Sequence, residues 1–244
     1  MIDLHCHILP YLDDGARNMD ETLSMLQIAV QSGVKSMVAT PHCEHGGTDE
    51  ILSIYKRVCK VIKDRQIPLN LYLGMEIFAT QDTVDLLYRE QLLTLNGSRY
   101  PLIEFDFLAK GRDETEILED LLQEGYRPLI AHPERYLFLQ RNPDLMNLWW
   151  QMGCLFQINR GSLLGRFGME AQQLSLAMID RGFATVVASD GHSCNRRTPW
   201  LEHVRHMLHR EFSPNAALHL LERNPAKILN NEDLTQMEIG RAHV

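Results

Sequence analysis

Ile2-Asp3-Leu4-His5-Cys6-His7 is a short apolar run that ends on two imidazoles. Alternate residues of a strand share a face, so His5 and His7 can reach one ion. Six more β-rich runs follow, at 35–40, 69–75, 100–105, 128–131, 154–158 and 184–188. Helical patterns separate them. Asn18 reads as an N-cap with Glu21 three residues on; Leu23, Leu26 and Val30 recur at helical spacing, and Gly33 stands where the helix should stop. Ile51, Ile54, Val58, Val61 and Ile62 mark a second helix. Ile117, Leu118, Leu121 and Leu122, closed by Gly125, mark a third, and Leu174, Ala177 and Met178, closed by Gly182, a fourth. Met146, Trp149, Trp150 and Met152 read as the core side of another helix.

An unbroken βα alternation predicts a parallel sheet, and seven strands in one run favour a closed or nearly closed barrel. Such a barrel brings the C-terminal ends of its strands to one rim, where catalytic loops sit. The least regular stretches, 9–19, 43–49, 138–143, 160–168 and 193–199, mostly follow strand ends. No linker divides the chain, so residues 1–230 read as one α/β domain. Residues 231–244 read as a tail, its end from Glu238 to Val244 as truncated or artefactual.

Composition narrows the partners. The chain of 244 residues has 24 basic and 32 acidic side chains, a net charge of −8, and lacks the broad basic field that nucleic-acid binding needs. No apolar run is long enough to span a membrane, and the N-terminus lacks the pattern of a signal peptide. Five scattered cysteines with no CxxC pair suit a reducing cytoplasm, the expected location.

The remaining strand ends carry the chemistry. Thr40-Pro41-His42 ends the second, Gly74-Met75-Glu76 the third, Ala131-His132-Pro133-Glu134-Arg135 the fifth and Ala188-Ser189-Asp190-Gly191-His192 the seventh. Glu104 lies inside Leu102-Ile103-Glu104-Phe105, and Asp13-Asp14-Gly15 lies in the first loop. A carboxylate in an apolar strand costs several kcal/mol unless it meets a cation. Scattered surface polarity would not mark six of seven strand ends. The five imidazoles (His5, His7, His42, His132, His192) and four carboxylates (Asp13 or Asp14, Glu76, Glu104, Asp190) are too many for one ion and suit two or three. Nitrogen and oxygen donors without thiolate fit Mn²⁺, Fe²⁺ or Zn²⁺ better than Mg²⁺ or Ca²⁺. Surplus positive charge would hold an anion, and phosphate is the natural candidate. Arg135 and Arg197, with Arg196 beside it, supply guanidinium forks for its oxygens. His203, His206 and His209 recur every third residue on a late helix and read as a solvated face.

Taken together, these blocks resemble the polymerase-and-histidinol-phosphatase (PHP) superfamily. Within it the chain, from Met1 to about Asn230, is similar to the bacterial metal-dependent tyrosine-protein phosphatases encoded with capsular and exopolysaccharide genes, the CpsB/YwqE type. The resemblance implies a distorted (β/α)7 barrel with a trinuclear site, usually manganese. It implies one ion at His5, His7, Glu76 and Asp190, a second at Glu76, Glu104 and His132, and a third at Asp14, His42 and His192. Arg135 and Arg197 match the family's phosphate-binding arginines. The implied partner is the tail of a bacterial tyrosine kinase. Some members carry basic residues after the equivalent of His42, where this chain has Cys43-Glu44-His45.

The expected reaction is hydrolysis of phosphotyrosine by a metal-bridging hydroxide, with Arg135 and Arg197 clamping the phosphate and His42 the candidate general acid. Three rivals are weighed. A thiol phosphatase needs Cys-x₅-Arg around a phosphate loop. Cys59 to Arg65 falls in a helix and Cys154 to Arg160 in a strand, and neither can curl around an anion. A PHP phosphoesterase on histidinol phosphate or a nucleotide keeps the site and changes the substrate. A metal-dependent binding module takes up ions without turnover.

Overall fold

A computed structural model describes residues 1–42 and 47–234. Its strands are β1 (Ile2–Cys6), β2 (Ser36–Ala39), β3 (Asn70–Leu73), β4 (Glu76–Phe78), β5 (Leu102–Glu104), β6 (Leu129–Ala131), β7 (Leu155–Asn159) and β8 (Ala184–Ala188). Every pairing is parallel, in two sheets ordered β1-β2-β3 and β4-β5-β6-β7-β8.

β3 lies within the expected strand 69–75, and β4 continues the chain past that strand's end after a break at Gly74-Met75. The break keeps its neighbour: Gly74 N donates to Ala39 O at 2.9 Å and Glu76 N to Pro41 O at 3.2 Å. A side chain at 74 would strike Leu95 and Val38, at 2.9 and 3.1 Å, so glycine lets the strand press inward there. At the other end, β8 returns to β1. Asp190 N donates to His5 O at 2.9 Å and His7 N to Gly191 O at 2.8 Å, and Cys6 bridges Gly191. The strands therefore follow one another around a ring in the expected α/β barrel order, with short and irregular seams.

Leu4, Val38, Leu102, Leu129, Leu155 and Val186 come from six strands and pack into one buried cluster. Side chains from so many strands meet only inside the ring. Ile228, Leu229 and Leu234 join that cluster and close it from the C-terminal end of the chain. Met37, Ile103, Ile130, Phe156 and Val187 belong to the larger cluster that includes helix residues such as Met25, Leu26, Ile51 and Leu118. At roughly 1.5–3 kcal/mol for each fully buried large side chain, these two layers hold the rim rigidly.

The first helix, Met19–Gln31, begins where Asn18 accepts from Glu21 N, but the Glu21 carboxylate reaches back to Arg17 N at 3.2 Å rather than to the cap residue. Its chain then turns at Gly33, with φ +88°. Helices Gly47–Asp64 and Arg112–Gln123 bury Ile51, Ile54, Val58, Ile62 and Ile117, Leu118, Leu121 as expected. The fourth expected helix is Met169–Asp180; it buries Ala171, Ser175, Met178 and Ile179, whereas Leu174 and Ala177 are only partly covered. Helix Pro143–Met152 buries Met146 and Trp149 but leaves Trp150 and Met152 partly covered. The stretch 138–143, expected irregular, is mostly helical, within Leu137–Arg141 and the start of Pro143–Met152. Residues 43–46 and 235–244 lie outside the described residues, and with them Cys43, Glu44, His45 and most of the expected tail.

Candidate metal centre

The rim of the ring gathers the donors. Two of them sit on backbone that few side chains adopt. His132 follows β6 at φ 34°, ψ 52°, and Asp190 follows β8 at φ 51°. Left-handed residues other than glycine are uncommon and concentrate at functional sites. Here the turn aims each side chain back into the mouth of the ring.

His5 and His7 define the deepest part. His5 Nδ1 lies 2.8 Å from Gln157 Oε1, and His7 Nδ1 lies 2.7 Å from Asp13 Oδ2. These acceptors fix the Nδ1 protons, so in the neutral rings both Nε2 atoms carry lone pairs. The two Nε2 atoms are 3.2 Å apart, and each is 3.0 Å from Glu76 Oε2. Asp190 Oδ1 faces them at 3.6 and 3.9 Å, buried and without a hydrogen-bond partner. Lone pairs and carboxylate oxygens turned on one another in a buried space need protons or a cation between them. A divalent ion fits this set.

Four groups of donors have ligand atoms within 4.8 Å of one another: His5/His7/Asp190, His7/His42/Glu76, His7/Asp14/His192 and Glu76/Glu104/His132. Glu76 links them. Its Oε1 lies 2.8 Å from His132 Nε2, and its Oε2 faces His5, His7 and, at 3.4 Å, His42. Glu104 Oε1 is 3.5 Å from His132 Nε2. His192 Nε2 lies 3.2 Å from Asp14 Oδ1. All nine expected donors therefore meet. The expected trio of Asp14, His42 and His192 is not a separate group: His42 sits with His7 and Glu76, and His7 takes its place beside Asp14 and His192.

The two candidates of the first loop separate cleanly. Asp13 lies behind His7, accepting from Gly15 N and His42 N at 2.9 and 3.0 Å. A side chain on Gly15 would come within 2.3 Å of His7 O, so only glycine lets the loop fold under the imidazole. Asp14 stands at the rim with its side chain 65% exposed.

The electrostatics follow from crowding. Burial disfavours charge on His5 and His7, yet Glu76 and Asp190 beside the first, and Asp13 and Glu76 beside the second, outweigh it and raise both pKa values. Burial and then the Glu76 charge push Glu104 up to about 8. Burial takes His132 down to about 4. Against its burial, Asp190 is held well below the usual carboxylate range by His5, Arg197, His132 and His192. Such mutual shifts in one cleft make it the candidate functional site.

Arg135 and Arg197 both reach this cluster, with Nη1 at 3.5 Å and Nη2 at 2.5 Å from Asp190 Oδ2. Their aromatic neighbours carry no signal in the sequence. The Arg135 guanidinium lies 4.7 Å from the Phe107 ring centre and 4.3 Å from that of Phe167. Nor was β7 expected to contribute, yet Gln157 orients His5 and Asn159 Nδ2 donates to Asp190 Oδ2. Glu134 supports Asn159, accepting from its backbone N at 2.9 Å. The polar residues that alternate in Phe156-Gln157-Ile158-Asn159 carry the same signal as Glu104: polarity on the inner face of an apolar strand.

The discounted groups behave as read. His203, His206 and His209 lie exposed on helix Glu202–Glu211. Cys59 lies in helix Gly47–Asp64, and Cys154 is buried beside β7, where burial pushes its thiol up to about 12. Neither stands in a loop that could cradle a phosphate.

Residues 1–230 match the family described as capsular polysaccharide synthesis, CpsB/CapC. The tyrosine-protein phosphatase YwqE of Bacillus subtilis is 34% identical over 238 residues, covering 96% of this chain and 93% of that protein. The tyrosine-protein phosphatase CpsB of Streptococcus pneumoniae is 30% identical over 241 residues, covering 95% and 99%. A chain among the crystal structures of YwqE and CpsB, described as unique metal-dependent tyrosine phosphatases, superposes with a TM-score of 0.91 at 33% identity over 96% of each chain. The chain belongs to the CpsB/CapC family of capsular polysaccharide synthesis.

Proposed function

We propose that this chain is a metal-dependent tyrosine-protein phosphatase with manganese as its resident metal. The observation that carries the reading is the meeting of nine nitrogen and oxygen donors with two guanidinium groups at one rim. Relatives named tyrosine-protein phosphatases over nearly the whole chain support the substrate. The thiolate-free mixture of imidazole and carboxylate supports manganese, with iron or zinc as the alternatives.

His5, His7, Glu76 and Asp190 would hold one ion and Glu76, Glu104 and His132 a second. Asp14 and His192, with His42 within reach of Glu76, would hold a third. Divalent ions there supply a nucleophile from water at neutral pH and polarise the phosphoryl oxygens. Asp13 and Gln157 keep the Nε2 atoms of His7 and His5 turned inward. Arg135 and Arg197 take the equatorial oxygens of the phosphate, exchanging part of their hold on Asp190 Oδ2 for the substrate. His42, 21% exposed, is the most open of the five imidazoles and, where it is not committed to metal, is the candidate to pass a proton to the departing oxygen. Tyrosine, with a pKa of about 10, leaves with little such help.

The domain of this activity is residues 1–230, its protein substrate the tail of a bacterial tyrosine kinase, and its role the control of capsule or exopolysaccharide synthesis. A cytoplasmic location suits the four free cysteines among the described residues. The test is a substrate panel on metal-stripped and reloaded protein. EDTA should abolish hydrolysis of a phosphotyrosine peptide and Mn²⁺ should restore it. Full activity without metal would end the proposal, turnover of histidinol phosphate alone would move the substrate, and metal uptake without any turnover would leave a binding module.

A further inference from the structure

Phe167 faces both arginines. Its ring centre is 4.3 Å from the Arg135 guanidinium and 5.8 Å from that of Arg197. Behind it lies Gly161, where a Cβ would fall 2.3 Å from Phe167 Cε2, so the ring rests on bare backbone. Gly161 is in turn fixed by Asn159, whose Oδ1 accepts from its backbone N at 2.7 Å and whose Nδ2 holds Asp190. A second ring, that of Phe107, has its centre 4.7 Å from the Arg135 guanidinium and stacks on His132 with centroids 5.7 Å apart and planes within 20°. His132, Phe107, Arg135 and Phe167 therefore follow one another in a column of ring and guanidinium contacts that starts at the donor cluster.

The column answers a physical problem. Arg135 has a long side chain, and its ion-pair contact in the structure, at 3.5 Å to Asp190 Oδ2, is shared with Arg197. That contact alone does not fix the plane of a guanidinium. Two aromatic faces do, because the ring quadrupoles attract the cation and leave its N–H edge free to donate in plane. Arg135 lines a cavity of about 640 Å³ together with Phe107, Phe167, Leu137, Arg141 and one carboxylate, Glu170.

We propose that Phe167, seated on Gly161 and paired with Phe107, is a positioning residue that pre-aims the phosphate-binding face of Arg135 and, more weakly, of Arg197. The proposal rests on the phosphatase reading for its substrate but not for its measurement, since inorganic phosphate binding can be followed without turnover. The variants are Phe167→Leu, which keeps bulk and loses the π face, Phe167→Tyr, which keeps both, and Gly161→Ala, which pushes the ring out of its seat. Each is loaded with Mn²⁺ and titrated with inorganic phosphate, and its metal affinity and melting temperature are measured alongside.

Phe167→Leu and Gly161→Ala should weaken phosphate binding about fivefold to thirtyfold. They should raise KM for a phosphotyrosine peptide more than they lower kcat. Phe167→Tyr should stay within about twofold of the parent, and metal affinity should not move in any variant. Phosphate binding unchanged in Phe167→Leu would overturn the proposal, as would equal losses in the leucine and tyrosine variants. If the parent protein binds phosphate but hydrolyses no phosphotyrosine, the functional reading fails while the phosphate titrations still decide this one.

Discussion

The two ends of the donor cluster are built to different standards. At the deep end, His5, His7 and Glu76 are no more than 2% exposed, and the imidazoles are braced from behind by Gln157 and Asp13. At the rim, Asp14 is 65% exposed, and among the described residues His192 Nδ1 faces Asp190 alone, its backbone oxygen at 3.1 Å and its Oδ1 at 3.3 Å. A braced, buried donor set is pre-organised and binds tightly; a solvated one loses side-chain freedom on binding and is screened. As a metal centre the cluster would be one strong site that shades into a weak one, with Glu76 reaching across most of it.

Removing Glu76 should erase the comparison altogether. Glu76→Gln keeps the shape but removes the charge shared by most of the donors, and should cut phosphatase activity by about a thousandfold or more. Metal analysis of the purified variant should show fewer than half the ions of the parent. Retention of the full complement would show that Glu76 is not the common ligand.

The contrast between neighbours in the first loop should be smaller and of opposite kind. Asp13→Asn leaves His7 Nδ1 without its anion and should weaken metal binding about tenfold to a hundredfold. Asp14→Asn should cost no more than about tenfold, lower the ion count by one at limiting metal, and leave the remaining ions tightly held. Calorimetric titration with Mn²⁺ distinguishes the two, and equal losses would dissolve the distinction between deep and rim sites.

The smallest effect is one of pH. Without ions, His7 lies well above its ordinary pKa and Glu104 near 8, so both hold protons at neutral pH. Both must lose them to bind metal. Mn²⁺ added at pH 7 should therefore release protons, and affinity should climb as pH rises towards 8 and fall below it. The change should be about tenfold or less per pH unit for each proton. Affinity that does not vary between about pH 6.5 and 8 would contradict the protonation states drawn here.

Much of this was legible in the residues themselves. Strand ends reveal the donors because a parallel barrel gives every strand the same polarity, so His42, Glu76, His132 and Asp190 need no knowledge of tertiary contacts to be placed together. Glu104 announces itself by being charged where its neighbours are apolar. What stayed hidden is whatever depends on orientation rather than position. Asp13 and Asp14 are adjacent and identical in chemistry; only the fold of the loop over Gly15 sends one behind His7 and the other to the rim. Phe107 and Phe167 are ordinary apolar residues until both turn out to face Arg135. The buried side of helix Met169–Asp180 is hard to read in the sequence because its small buried residues, Ala171 and Ser175, carry little hydrophobic signal.

The most direct test is anomalous X-ray scattering at the manganese edge from crystals of the Mn²⁺-loaded protein. The account predicts peaks enclosed by His5, His7, Glu76 and Asp190 and by Glu76, Glu104 and His132, with a weaker one beside Asp14 and His192. Peaks elsewhere, or none among these side chains in protein that still hydrolyses phosphotyrosine, would contradict it.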